Sequence, residues 1–242
     1  MSEASSTPTS LAIGGASPSA VARATRIAVL AEPPLPGRCL PDLLAAHEPE
    51  WIAGLCAAML RDTLDGLQSL DASDYVVFAP PDDEALDALA RHVPAPWRIA
   101  AGVDAAGAFT TLGLASDAPD GVTLLARSDA PSAPIEPLVA LFSADGEAPS
   151  DTPLAILGPS EEGRAWLLGA RRIGDLAADL PWASPELAAT VRVRCARAGV
   201  PLEELPRATI VDTPSAVLAL LEELRRHPER APRTAQFVVT RG

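Results

Sequence analysis

Lysine is missing from all 242 residues of this chain: its nineteen basic residues are all arginine, set against thirty-two acids. The formal charge of −13 and the pI near 4.6 exclude nucleic acid and anionic membrane as natural partners, because both require a basic surface. Aromatic residues make up only 4%, so the core has to be built from Leu, Val, Ile and Ala. The three cysteines (Cys39, Cys56, Cys195) are widely spaced and form no C-x-x-C pair, which excludes a disulfide framework and a zinc site of that kind. Three scattered histidines without H-x-x-x-H spacing argue against a His-based metal centre. No apolar run approaches the roughly 18 residues of a membrane span. The N-terminus has no basic segment ahead of its mildly apolar Leu11–Ala16 and so does not read as a secretory signal. These absences predict a reduced, cytoplasmic protein with no membrane span.

What is present alternates between short apolar runs and amphipathic stretches. Residues 1–25, rich in Ser, Ala, Thr, Pro and Gly, read as a disordered leader. Arg26–Ala31 reads as a buried parallel strand, bounded by Pro33-Pro34. From Pro49, the residues Ile52, Leu55, Met59, Leu64, Leu67 and Leu70 recur at helical spacing. DYVVFA (Asp74–Ala79) predicts a second strand, and Pro80-Pro81-Asp82-Asp83 the capped start of a helix to about His92. A short strand over Trp97–Ala100 precedes a loop and weak helix over Gly102–Asp120. Strands are then expected at Gly121–Ala126 and a helix at Ile135–Ser143, followed by two apolar runs, Leu154–Leu157 and Ala165–Gly169.

Ser184-Pro185 predicts a helix start and Gly199 its stop; Thr213-Pro214 opens the last helix. Residues 227–242 read as a C-terminal tail in which Phe237-Val238-Val239 could pair on a sheet edge. The alternation predicts a single α/β domain over residues 26–226, three-layered (α/β/α) with a mainly parallel twisted sheet. In such a fold the loops that follow strands form the ligand-binding rim. Three loops of that kind follow strands here: Glu32–Pro41, Arg127–Pro134 and Ser160–Gly163. Asp129, flanked by Ser128 and Pro131, suits a divalent metal or a sugar hydroxyl.

Six segments, in order, carry a resemblance. They are LAEPPLPGR (Leu30–Arg38), LCAAMLRDTLDGL (Leu55–Leu67), ARSDAPSAP (Ala126–Pro134), GPSEEGRAWLLG (Gly158–Gly169), LPWASPELAAT (Leu180–Thr190) and VDTPSAV (Val211–Val217). Over roughly Arg26–Arg226 the chain resembles the bacterial GT-A-type glycosyltransferase-like family associated with arsenosugar biosynthesis. That family shares the nucleotide-diphospho-sugar transferase fold, a Rossmann-like GT-A architecture, with guanylyltransferases. The resemblance implies an NDP-sugar ligand held by Pro36, Gly37, Arg38, Arg127, Ser128 and Gly163. It also implies Mg²⁺ or Mn²⁺ on Asp129 and Glu162, and it names no catalytic residue.

The departures from the family pattern fall on charged positions. Where V-K-T-R-L is usual after P-G-R, this chain has Cys39-Leu40-Pro41-Asp42, which removes two cations and adds an acid. The usual D-G-G-Y-Y is Glu162-Gly163-Arg164-Ala165-Trp166, and Ser132 stands where a second acid is expected. Charge-assisted phosphate contacts contribute about 1.5–3 kcal/mol each, so their loss bears directly on activity. Three readings stay open: a metal-assisted glycosyltransferase, a catalytically inactive interaction or regulatory module with a protein partner, and a nucleotidyltransferase, which the lost cations hurt most. Asp212, just ahead of Thr213-Pro214, reads as a helix cap, and Trp166 and Trp182 as core.

Overall fold

Three consecutive residues of the first strand, Ile27, Ala28 and Val29, are fully buried, which places that strand in the middle of the molecule. The computed structural model describes residues 24–102, 108, 121–143, 153–171, 176 and 179–241. The leader, bar its last two residues, and most of Gly102–Asp120 lie outside the described residues. The strands are β1 (Ala24–Leu30), β2 (Asp74–Ala79), β3 (Arg98–Ala101), β4 (Val122–Arg127), β5 (Leu154–Pro159), β6 (Ala165–Arg171) and β7 (Leu202–Glu204). They form a seven-stranded sheet in the order β3-β2-β1-β4-β6-β5-β7. All pairs are parallel except those of β6, which runs antiparallel to both β4 and β5. The mainly parallel α/β sheet is therefore as expected, and the two apolar runs at 154–171 form an antiparallel hairpin within it.

Alternation along the strands sends side chains to two cores. One face carries Ile27, Val29, Val77, Leu124 and Ile156 against Leu60, Leu64 and Leu67 of α1 (Pro49–Gln68). Leu89 of α2 (Asp83–Ala90) and Leu138 of α3 (Glu136–Ser143) join this core. The opposite face carries Ala28, Val76, Phe78, Leu125 and Leu168 against Leu187, Ala188 and Val191 of α4 (Leu187–Ala198). Gly199, at φ 67°, ends α4 in the left-handed conformation, its N–H and that of Val200 returning to the last carbonyls. Helix α4 starts two residues beyond Ser184-Pro185; the Ser184 hydroxyl accepts from the Glu186 N–H in the preceding turn.

Helix α1 is buried on two sides. Its second face, with Ile52, Leu55, Cys56 and Met59, packs on α5 (Pro214–Arg226) and α6 (Pro232–Arg241) through Val217, Leu220, Leu224, Ala235 and Val238. The segment expected to be a tail is thus helical, and Val238 lies in a helix–helix core and not on a sheet edge. The sequence signal was weak because the helix spans only ten residues and its apolar side is made mostly of small or β-branched groups. Its start is fixed by Asp62 of α1, which is 6% exposed. Asp62 accepts from the N–H of Arg233 (3.0 Å), the N–H of Thr234 (2.8 Å) and the Thr234 hydroxyl (2.7 Å). A carboxylate from one helix therefore caps another more than 160 residues away.

Asp62→Ala leaves these N–H groups and a fully buried hydroxyl without an acceptor. The expected cost is about 2–3 kcal/mol of stability, or about 4–10 °C in Tm by thermal unfolding. Asp62→Asn, which retains one acceptor oxygen, is expected to lose less.

Candidate functional site

Strand β1 lies between β2 and β4, so the chain winds outward in one direction through β3 and then restarts on the other side of β1 with β4. At such a reversal the connections leave in opposite directions and a crevice opens beyond the strand ends. Here the crevice has a volume of about 260 Å³ and is lined by Leu30-Ala31-Glu32 after β1, Phe78-Ala79-Pro80 after β2, Gly102 after β3 and Arg127-Ser128-Asp129 after β4. The sheet ladder runs on into these lips. The N–H of Ala31 donates to Phe78 O at 3.0 Å, that of Ser128 to Leu30 O at 3.0 Å and that of Gly102 to Ala79 O at 2.8 Å. At Gly102 a Cβ would come within 2.7 Å of the Phe78 ring, so glycine lets the third lip lie against the second.

The chemistry at the floor is an ion pair. Arg127 donates from Nε and Nη2 to the two oxygens of Asp129 at 2.8 and 2.5 Å. The Asp129 side chain is 6% exposed and that of Arg127 28%. Burial works against the Arg127 charge, but Asp129 more than offsets it and holds the guanidinium above its ordinary pKa. The carbonyl of Asp129 accepts from the Val211 N–H at 2.7 Å, which draws the 210–213 segment onto the site. The Thr63 hydroxyl of α1 reaches the Ser128 carbonyl from beneath at 3.4 Å.

A second ion-pair cluster abuts the first because β6 is antiparallel to β4: the residues entering β6 meet the end of β4. The turn from Ser160 to Arg164 lies at this point, closed by the Ser160 N–H on Arg164 O at 2.8 Å. Arg164 donates to Glu162 at 2.6 Å and to Oδ2 of Asp212. Oδ1 of Asp212 is buried and has no hydrogen-bond partner among the described residues. Asp212 therefore belongs to this charged cluster, whereas the cap of α5 is the Thr213 hydroxyl, which accepts from the Ala216 N–H. Gly163 serves the turn itself. Its φ is +85°, and a Cβ there would lie 2.3 Å from the Pro185 carbonyl oxygen.

The remaining expected residues are dispersed. Arg38 pairs with Asp82 (2.9 Å) and Glu84 (3.0 Å) at the start of α2, on exposed surface. Pro36 and Gly37 are exposed in the same loop, Gly37 with φ +75° and nothing close to a notional Cβ. Trp166 is buried core, its Nε1–H donating to Pro206 O at 3.2 Å. Ser132 donates to Glu223 of α5 at 2.8 Å.

Sequence reasoning missed Glu32. It is the first acid after β1, and the turn signals of Pro33-Pro34 mask it. Its carboxylate accepts from the N–H of Leu40 at 2.7 Å, which holds Leu40 in the left-handed region at φ 44°. Burial, together with the charges of Asp129 and Asp212, pushes the Glu32 carboxyl above the ordinary glutamate range, against the Leu40 N–H and Arg127.

The donor set does not fit a divalent cation as it stands. Both oxygens of Asp129 are held by Arg127, and Glu162, 55% exposed, is held by Arg164. No group of three His, Cys, Asp or Glu that could hold a metal ion occurs among the described residues. The two expected ligands are each neutralised by a guanidinium.

A carboxyl whose pKa is raised by folding stabilises the fold below the ordinary glutamate pKa and loses that contribution as pH rises through its folded value. Glu32→Gln keeps an acceptor for Leu40 and removes the charge. We expect it to raise Tm at pH 7, with the gain vanishing at pH 4 and below; thermal unfolding of both proteins across pH 4–8 checks this.

No family model matches the chain, and no curated protein matches its sequence. Solved structures do match its fold. A protein of Desulfovibrio desulfuricans G20, provisionally assigned as a nucleotide-diphospho-sugar transferase, is 21% identical, with a TM-score of 0.72 over 89% of this chain and 94% of its own. A nucleotidyl transferase from Methanothermobacter is 18% identical, with a TM-score of 0.53 over 84% of this chain and 99% of its own. The CMP:2-keto-3-deoxy-manno-octonic acid synthetase, solved with CTP, is 13% identical, with a TM-score of 0.52 over 85% and 99%. The resemblance to the arsenosugar-associated family thus gains no support from sequence comparison. The fold is that of the nucleotide-diphospho-sugar transferases, a Rossmann-like α/β architecture.

Proposed function

We propose that this chain binds a nucleotide, in the form of a nucleotide-diphosphate sugar, in the crevice beyond β1, β2 and β4. One observation carries the reading: the crevice sits at the strand-order reversal and joins an apolar wall to a partly exposed guanidinium. Leu30, Phe78 and Pro80 offer the wall for a base and ribose, and Arg127 offers the cation for a phosphate. At about 260 Å³ the crevice is just under the roughly 300 Å³ at which whole-ligand pockets begin. It therefore takes the nucleoside end, with the sugar extending over the open rim toward Arg164. Glu32, next to the wall, suits the N–H groups of a base or the hydroxyls of a ribose. Proteins of the same fold include one solved with CTP and one provisionally assigned to nucleotide-diphospho-sugars, which supports this ligand class.

Glycosyl transfer is the activity this ligand implies, with Arg164, Glu162 and Asp212 facing the sugar end. A second reading, binding without transfer, is favoured by a specific observation. Asp129 and Asp212, the carboxylates nearest the phosphate and sugar positions, are both engaged by guanidinium groups. Asp129 has both oxygens taken up in this way, and Asp212 keeps only Oδ1 outside its pair.

A thermal-shift panel of nucleoside diphosphates and their UDP-, GDP- and CDP-linked sugars tests the proposal. At a hundred times its dissociation constant, a true ligand adds about 2.7 kcal/mol, or about 5–10 °C in Tm. No shift with any member overturns it. Release of free nucleoside diphosphate from a bound NDP-sugar, followed by chromatography, separates transfer or hydrolysis from binding alone.

A further inference from the structure

Resting on that reading of the crevice, we propose that a nucleotide's phosphate is held here by Arg127 without any divalent cation. The cation's place against Asp129 is taken by Arg127 itself. A guanidinium has five N–H donors in a planar fork, and Arg127 commits two of them to Asp129. The other three belong to a side chain that lines the crevice and is 28% exposed, so they are within reach of a ligand there. A phosphate placed on them meets a cation already oriented by its partner.

Installing a metal on Asp129 would require the reverse. Both oxygens of a nearly buried carboxylate would have to leave a bidentate guanidinium, and the displaced Arg127 would stay partly buried without its counter-ion. Arg164 repeats the arrangement one step away, bridging Asp212 and Glu162 with its side chain 14% exposed. Asp129, Asp212 and Glu162 are therefore each held by an arginine, Glu32 is held by the Leu40 N–H, and the loop after β1 contributes no further positive charge, since Arg38 is spent on Asp82 and Glu84. The crevice is thereby a guanidinium site for anions, with Asp129 orienting the cation that binds them.

The two alternatives for Asp129 give opposite signs on one conservative change. As a metal ligand, Asp129 is essential, so Asp129→Asn abolishes nucleotide binding. As the partner of Arg127, it orients the guanidinium but its negative charge opposes that of the phosphate; Asn keeps an acceptor oxygen for Arg127 and removes the charge, so Asp129→Asn tightens binding about tenfold. The experiment is isothermal titration with UDP, GDP, CDP and ADP, each in EDTA and again in MnCl₂, on the wild-type chain, Asp129→Asn and Arg127→Gln.

The inference expects a dissociation constant unchanged by EDTA, tighter binding to Asp129→Asn, and binding to Arg127→Gln weakened by about tenfold or more. Binding seen only with MnCl₂, or lost or unchanged in Asp129→Asn, overturns it and leaves the nucleotide reading standing. Absence of binding by the wild-type chain in both media overturns both. If Asp129→Asn does not fold, the wild-type comparison of EDTA with MnCl₂ decides alone.

Discussion

Strand β1 is enclosed on every side, and the rest of the molecule follows from that enclosure. It is hydrogen-bonded to β2 along one edge and to β4 along the other, and Ile27, Ala28 and Val29 are fully buried on its two faces. A strand so placed can meet water and ligand only at its end. Its continuation, Ala31-Glu32, is therefore where the first polar side chain emerges. Because the neighbours on its two sides lead into connections that diverge, the same end is also where a crevice opens. Fold and site share one cause.

Charge in the crevice and in the cluster beside it is balanced almost entirely by the chain itself. Arg127 answers Asp129, and Arg164 answers Asp212 and Glu162. Apart from Glu162, which is exposed, these are groups of low exposure, where an unpartnered charge is expensive and a bidentate guanidinium satisfies a carboxylate well. Glu32 is the exception: its carboxylate is held by a backbone N–H, and it lies within the field of two other acids. A strongly acidic chain thus presents at its crevice a set of oriented cations whose partners are already present, with one acid held above its usual range. Supplying the counter-charge as arginine fixes it covalently at the site, where a mobile ion would have to be recruited.

Much of this was legible in the residues. Apolar runs at 26–31, 74–79 and 121–126, separated by helical periodicity, required a parallel sheet with crossovers, and the polar loops behind them marked the rim. Asp129 stood out because it lies in the loop just after a buried strand, whereas Arg127 was marked by the family resemblance. Other features were hidden for definite reasons. The tail became α6 because its first N–H groups are satisfied by Asp62, an acceptor supplied from α1. Asp212 read as a helix cap because Asp ahead of Thr-Pro is a good cap; the hydroxyl of Thr213 took that role and left the carboxylate for Arg164. Arg38 read as a phosphate ligand, and an acidic helix start 44 residues further on claims it.

The sequence by itself determined most of the strands and helices, since burial periodicity and capping act over a few neighbouring residues; the helix at Pro232–Arg241, whose start rests on the distant Asp62, is the exception. It also determined that no helix among the described residues is long and apolar enough to cross a membrane. Tertiary structure alone decided which arginine meets which acid. The pairing of Arg164 with Asp212 spans 48 residues and depends on β6 running against β4, a direction that alternation of apolar residues does not encode. A charge pair forms wherever the backbone brings its members within about 3 Å, and only the assembled sheet sets those distances.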